Sequence, residues 1–168
     1  AEETGLIFEI DDWVLQESMR WAKRWRTLYN PLLQISVNKS PAQFYKGRDE
    51  VAAWLSHLQK LELPGQSLAV EITERLLMDS TEVVTGALSA LRDAGVKVSM
   101  DDFGTGYSSL SYLKKFDIDY LKIDRSFLSD MVTEPNDLAL SEAIILMAHN
   151  LGKKEIAEGV EAIKHLNL

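Results

Sequence analysis

Five short runs rich in β-branched and apolar residues alternate with segments of helical periodicity, and this alternation restricts the possible folds most severely. The runs are "LLQISVN" (32–38), "SLAVEITE" (67–74), "VKVSMDD" (96–102), "DYLKID" (119–124) and "KEIAEGVE" (154–161). Between them lie the helical patterns "GRDEVAAWLSHLQKL", "STEVVTGALSALRDAG", "SLSYLKKF" and "NDLALSEAIILMAHNLG". Strands separated by helices of this length cannot pair as hairpins. They form parallel βαβ units, because a parallel neighbour requires a crossover.

A helix from about Asp11 to Tyr29 precedes the first strand. Val14, Ser18, Trp21, Ala22, Trp25, Leu28 and Tyr29 form its apolar stripe, and Trp13, Trp21 and Trp25 are expected to fill core or grooves. Ser80 or Thr81 caps the third of these helices and Gly95 stops it. Asn136 or Asp137 caps the last full helix, Gly152 stops it, and "EAIKHLNL" opens another. No linker or low-complexity segment interrupts the 168 residues, which read as a single domain.

The polar residues of these strands are not scattered. Asn38, Glu71, Asp101 with Asp102, Lys122 and Glu158 each fall at or just inside a strand's C-terminal end. In parallel α/β folds those ends share the face on which active sites are built. A single carboxylate there is ordinarily a cap or a solvated loop residue, whereas five successive strand ends indicate a site.

Asn38, Glu71, Asp101, Asp102 and Glu158 offer oxygen donors only, a set suited to Mg²⁺ or Mn²⁺ rather than zinc or copper. Crowded carboxylates raise one another's pKa unless cations separate them. Two divalent ions sharing one carboxylate resolve the repulsion and support in-line attack at phosphorus. Lys122 can orient the attacking water or offset charge in the transition state, or simply neutralise the acidic face. The residues thus point to metal-assisted phosphoester hydrolysis.

Other chemistries fit poorly. The chain has no cysteine, which removes disulfides, thiolate metal sites and cysteine nucleophiles and suits a reducing, cytoplasmic compartment. A net charge of −8 disfavours duplex nucleic acid, which needs basic stripes. No apolar run reaches the ~18 residues of a membrane span. "DFG" at 102–104 lacks the other kinase motifs, and "GTGYSS" lacks the third glycine of a dinucleotide fingerprint. His57, His149 and His165 lie away from the strand ends.

"VEITE", "DDFGTGYSSLSYLKKFDIDYLKIDRSF" and "IAEGVE", in this order and spacing, resemble the EAL domain of cyclic di-GMP phosphodiesterases. "AEETGLIFEIDDWVL" and "SVNKSPAQF" are similar to that family's segments too, so the likeness spans the chain. It implies a TIM-barrel-like α/β fold and linearisation of cyclic di-GMP with Mg²⁺ or Mn²⁺. By the same resemblance Asn38, Glu71 and Asp101 are metal ligands, Asp101 bridging and Asp102 on a second ion. Lys122 is similar to the lysine that holds the attacking water, and Glu158 to the general base or a ligand of metal-bound water. Glu74 resembles the glutamate bracing the loop after the aspartate pair, while Asp124 and Glu161 match further polar positions around the site.

The family's Glu-Ala-Leu segment, with a metal-ligating glutamate, has no counterpart here, nor has its closing strand. The expectation is a partial EAL domain over 1–168, a barrel lacking its first and last strands and weak or inactive alone. Lys39 stands where the family is usually apolar, and Lys153 and Glu155 bring charge to the approach of the fifth strand. A homodimer is the partner the family suggests. The alternative function is a degenerate EAL domain that binds cyclic di-GMP or a protein without cleaving it.

Overall fold

The computed structural model describes residues 4–78, 81–104, 110–129 and 135–160. They form two compact units dividing at Val98–Ser99. The α/β alternation is present in both.

The first unit opens with α1 (Leu6–Leu28), followed by β1 (Ile35–Asn38), α2 (Pro41–Phe44) and α3 (Arg48–Lys60). A 3₁₀ turn at Gly65–Ser67 leads into β2 (Leu68–Thr73), then α4 (Glu74–Met78) and α5 (Glu82–Asp93). β1 and β2 are parallel, with Ile35 opposite Leu68 and Asn38 opposite Glu71. β2 is buried from Leu68 to Ile72, the pattern of a strand covered on both faces. Ser40 caps α2, its hydroxyl accepting from the Ala42 amide at 3.3 Å with Pro41 in the first helical position. Thr81 caps α5 through the Val84 amide at 3.4 Å.

α1 departs from its expected stripe. The buried face is Asp11, Leu15, Met19 and Ala22. Trp13 is 65% exposed, and Trp21 and Trp25 pair at 5.4 Å on the outer surface. The apolar arc of this helix is wider than one packing face, so periodicity alone misassigned which edge turns inward. The helix also begins five residues earlier than expected, at Leu6, behind Gly5 in a left-handed conformation.

Two features of this unit carry stability predictions. Gly65 lies so close to the end of α5 that a Cβ would overlap the Ala94 carbonyl oxygen and sit 2.7 Å from the Gly95 carbonyl carbon. Backbone cannot retreat as a side chain can, so Gly65→Ala is expected to cost about 3 kcal/mol of unfolding free energy, read by urea denaturation.

Lys39 is buried, its Nζ donating to the Asp11 carbonyl oxygen at 3.2 Å and lying 4.5 Å from the Trp54 ring centroid. Burial pulls its pKa down to about 8, partly offset by Asp11, Asp12 and Glu50. Between there and its ordinary value of 10.5 the unfolded chain holds the proton and the folded chain does not, so stability rises with pH across that window. Lys39→Met is expected to abolish this rise, worth about 3 kcal/mol at most, in urea titrations compared at pH 7.5 and 10.

β3 (Lys97–Phe103) crosses the division and enters the second unit, which continues with α6 (Leu110–Lys115), β4 (Tyr120–Ile123), α7 (Arg125–Ser129), α8 (Pro135–Asn150) and β5 (Lys154–Ala157). β4 runs parallel to both β3 and β5. Met100, Phe103, Leu121 and Ile123 are buried, and Phe127, Leu138 and Ile144 pack against Ile123. α8 starts at Pro135, which places Asn136 and Asp137 inside its first turn rather than at its cap. Glu155 is accommodated at the surface by His149, 2.7 Å away on α8. The helix expected over "EAIKHLNL" lies outside the described residues.

Candidate functional site

β3 and β4 form a regular parallel ladder up to Met100 opposite Leu121, and resume with Phe103 opposite Ile123. Two residues, Asp101 and Asp102, therefore span the interval that β4 fills with Lys122 alone. This is a β-bulge, and Asp102 has φ 52°, in the left-handed region. In an unbroken strand successive side chains point to opposite faces. The bulge cancels that alternation and turns both carboxylates to one side. It answers why two like charges stand adjacent in sequence: the backbone is bent to use both.

Glu158 follows the last residue of β5, its amide donating to the Ile123 carbonyl at 3.1 Å. Its carboxylate, with those of Asp101 and Asp102, places one oxygen from each residue within 4.8 Å of the others. Lys122 sits among them, with Nζ 2.9 Å from Asp101 Oδ1 and 2.6 Å from Glu158 Oε1. The lysine side chain is 11% exposed, so these contacts are only weakly screened by water.

Partial desolvation, and then the charges of Asp101, Asp124 and Glu158, hold the Asp102 carboxyl above its usual range. Asp124 is held below it by hydrogen bonds from the Ser126 hydroxyl and amide, the latter at 2.9 Å. A side-chain hydrogen bond joins Asp102 to Asp124, and it raises the pKa of the first and lowers that of the second. The cluster carries more negative charge than one lysine can balance. A divalent cation fits such a donor set: hard oxygens, close together and short of positive charge.

The first unit holds the other expected ligands. Asn38 and Glu71 are register partners on β1 and β2, and the Lys39 amide donates to the Glu71 carbonyl at 3.0 Å. The Glu71 side chain lies within the buried stretch of β2. Glu74 is buried in the first turn of α4. Glu161 and residues 105–109 of the glycine loop lie outside the described residues. The Phe127 ring lies beside Gly104, the residue after the bulged strand, so near that a side chain there would meet it.

The EAL domain family model matches residues 1–168. The chain is 44% identical over 162 residues to the signaling protein YkoW of Bacillus subtilis, covering 96% of this chain and 20% of that protein. It is 38% identical over 167 residues to the cyclic di-GMP phosphodiesterase NbdA of Pseudomonas aeruginosa, covering 99% of this chain and 21% of that protein. The chain thus spans about a fifth of the length of the curated relatives it matches. Among solved structures, the PaMucR phosphodiesterase in its c-di-GMP complex superposes with a TM-score of 0.92 at 37% identity, over 99% of this chain and 67% of that one. The EAL domain of Mycobacterium smegmatis DcpA gives 0.85 at 36%, over 95% and 71%. These likenesses show an α/β-barrel-type fold. The chain belongs to the EAL domain family.

Proposed function

We propose that this chain forms part of a cyclic di-GMP phosphodiesterase, which opens the cyclic dinucleotide to its linear form by hydrolysing one phosphodiester. The observation that carries the reading is the grouping of Asp101, Asp102 and Glu158 around Lys122 at a β-bulge. Relatives support the substrate: one carries the name of a cyclic di-GMP phosphodiesterase, and PaMucR was solved with c-di-GMP.

On this reading Asp101 and Asp102 are oxygen ligands for Mg²⁺ or Mn²⁺ in the second unit, and Asn38 and Glu71 are ligands in the first. Two ions would be the expected number, and Asp101 would contribute to holding both. A bound cation would supply positive charge to the phosphoryl oxygens and make water a stronger acid. Glu158 accepts the proton from the attacking water, and its contact with Lys122 keeps its carboxylate aimed into the site. Lys122 orients the water and meets the charge that grows on phosphorus oxygens in the transition state. Asp124 supports Asp102 through the hydrogen bond between their side chains. Glu74 is assigned to brace the glycine loop, and Glu161 to a further polar position around the site.

No helix among the described residues is long and apolar enough to cross a membrane. We place the protein in the cytoplasm, in keeping with its lack of cysteine. A homodimer belongs to the same reading. Light scattering reads that association directly.

The test of function is incubation of cyclic di-GMP with the full-length protein carrying this chain, in Mg²⁺, Mn²⁺ or EDTA, with products separated by chromatography. Metal-dependent appearance of the linear dinucleotide is the expected result. Calorimetric binding with no product in any metal would replace catalysis by a ligand-binding role. Neither binding nor product would sink both.

A further inference from the structure

α1 has two apolar sides, and the fold uses one. The inner side buries Asp11, Leu15, Met19 and Ala22. At about 100° per residue, Leu6, Ile10, Trp13, Trp21 and Leu28 fall on the opposite side. These five are between 42% and 65% exposed. Large apolar side chains scattered over a surface are ordinary, whereas five along one line of one helix form a patch. The patch is partly pre-organised: the Trp21 ring lies 5.4 Å from that of Trp25, and the Arg24 guanidinium stands 5.1 Å from its centroid. A strand added beside β1 would bring its crossover helix against a flank of α1, not against the side that faces away from the sheet.

Charge is divided along the same helix. Between Leu6 and Glu17 lie Glu9, Asp11, Asp12 and Glu17 with no lysine or arginine. Between Ser18 and Leu28 lie Arg20, Lys23, Arg24 and Arg26 with no acid. The helix dipole favours this order only in the first and last turns. Lys23 turns aside to Glu62 at 3.3 Å, and Arg26 donates to the Leu33 carbonyl. The charges on the outward side are then Glu9 and Glu17 in one half, Arg20 and Arg24 in the other, with Arg20 and Glu17 paired at the middle.

Such a surface complements itself in one orientation. Two parallel copies of α1 would set acid on acid and base on base. Two antiparallel copies, about a two-fold axis near the middle of the helix, set Glu9 beside Arg24 of the second copy and Trp13 beside Trp21. The symmetry makes each contact twice.

We propose that the outward side of α1 is a docking surface for a second copy of this chain, which lays its own α1 across it antiparallel. This names the surface for the homodimer of the phosphodiesterase reading, and it does not depend on catalysis. One helix pair lies at the small end of specific interfaces, below about 1,200 Å² in total, so association in the micromolar range is expected.

The experiment uses the full-length protein carrying this chain, with any other cysteine replaced by serine. Spin labels are placed at Ser18→Cys or at Thr27→Cys, and distances between copies are read by pulsed electron paramagnetic resonance. Antiparallel pairing brings Ser18 labels within about 20 Å of each other and holds Thr27 labels about 30 Å apart along the helix axis. Sedimentation equilibrium then compares Glu9→Arg, Arg24→Glu and the two combined. Each single change sets like charges together and should raise the dissociation constant at least tenfold, while the combination should return it to within about threefold of wild type. Damage to the helix itself would make the combination worse, not better.

A monomer at 100 μM would overturn both the proposal and the homodimer. A dimer with Ser18 labels more than about 40 Å apart would overturn the proposal alone, because the copies then meet elsewhere. A Ser18 label immobilised in a monomeric protein would show the face covered within one chain, and would overturn it too. Equal distances at Ser18 and Thr27, or no rescue in the combined variant, would rule out the antiparallel pairing.

Discussion

Asp101→Asn is expected to lower the rate of cyclic di-GMP hydrolysis by about 10³-fold or more in the full-length protein, with little change in substrate binding. The substitution preserves size and removes one negative charge. Three consequences converge on that one carboxylate. Lys122 loses the negative charge of the partner 2.9 Å from its ammonium. The donor group that brings Asp101, Asp102 and Glu158 within 4.8 Å loses an anionic member, so divalent ions bind less tightly. The repulsion acting on Asp102 falls as well, so its carboxyl pKa should drop toward the ordinary value. Titration of the Asp102 side chain by carbon NMR separates this from unfolding. A rate within tenfold of wild type would mean that Asp101 is not among the groups that touch the reaction.

Much of this was legible in the chain because the signals are local. Thr81 as a cap and Gly95 beyond the last turn bracket α5 as their chemistry requires. The strand ends were readable because a polar residue closing a β-branched run is conspicuous. Three things were not. Which edge of α1 turns inward depends on what the rest of the fold offers, and the tryptophans that dominate its pattern ended outside. The short helices α2, α4 and α7 have four or five residues each, too few for periodicity to register. The bulge was hidden because it is a relation between two strands. "DD" before "FG" is visible, but two residues facing one lysine can be seen only once β4 is laid beside β3.

The same relation makes Lys122 the second decisive position. Lys122→Met keeps the aliphatic stem and removes the ammonium from between Asp101 and Glu158. Removing one partner of a largely buried pair leaves the other charges uncompensated, here two carboxylates at once. In EDTA the loss of stability is expected to be about 3 kcal/mol, a midpoint shift easily read by urea denaturation. In millimolar Mn²⁺ most of that loss should vanish, because a divalent ion supplies the charge the lysine supplied. Activity should not return with it. A cation that satisfies the carboxylates does not put an ammonium beside the attacking water, so hydrolysis is expected to stay about 10²-fold or more below wild type in saturating metal. Recovery of both stability and rate would reduce Lys122 to a counterion. Recovery of stability alone would separate the two roles that one side chain holds.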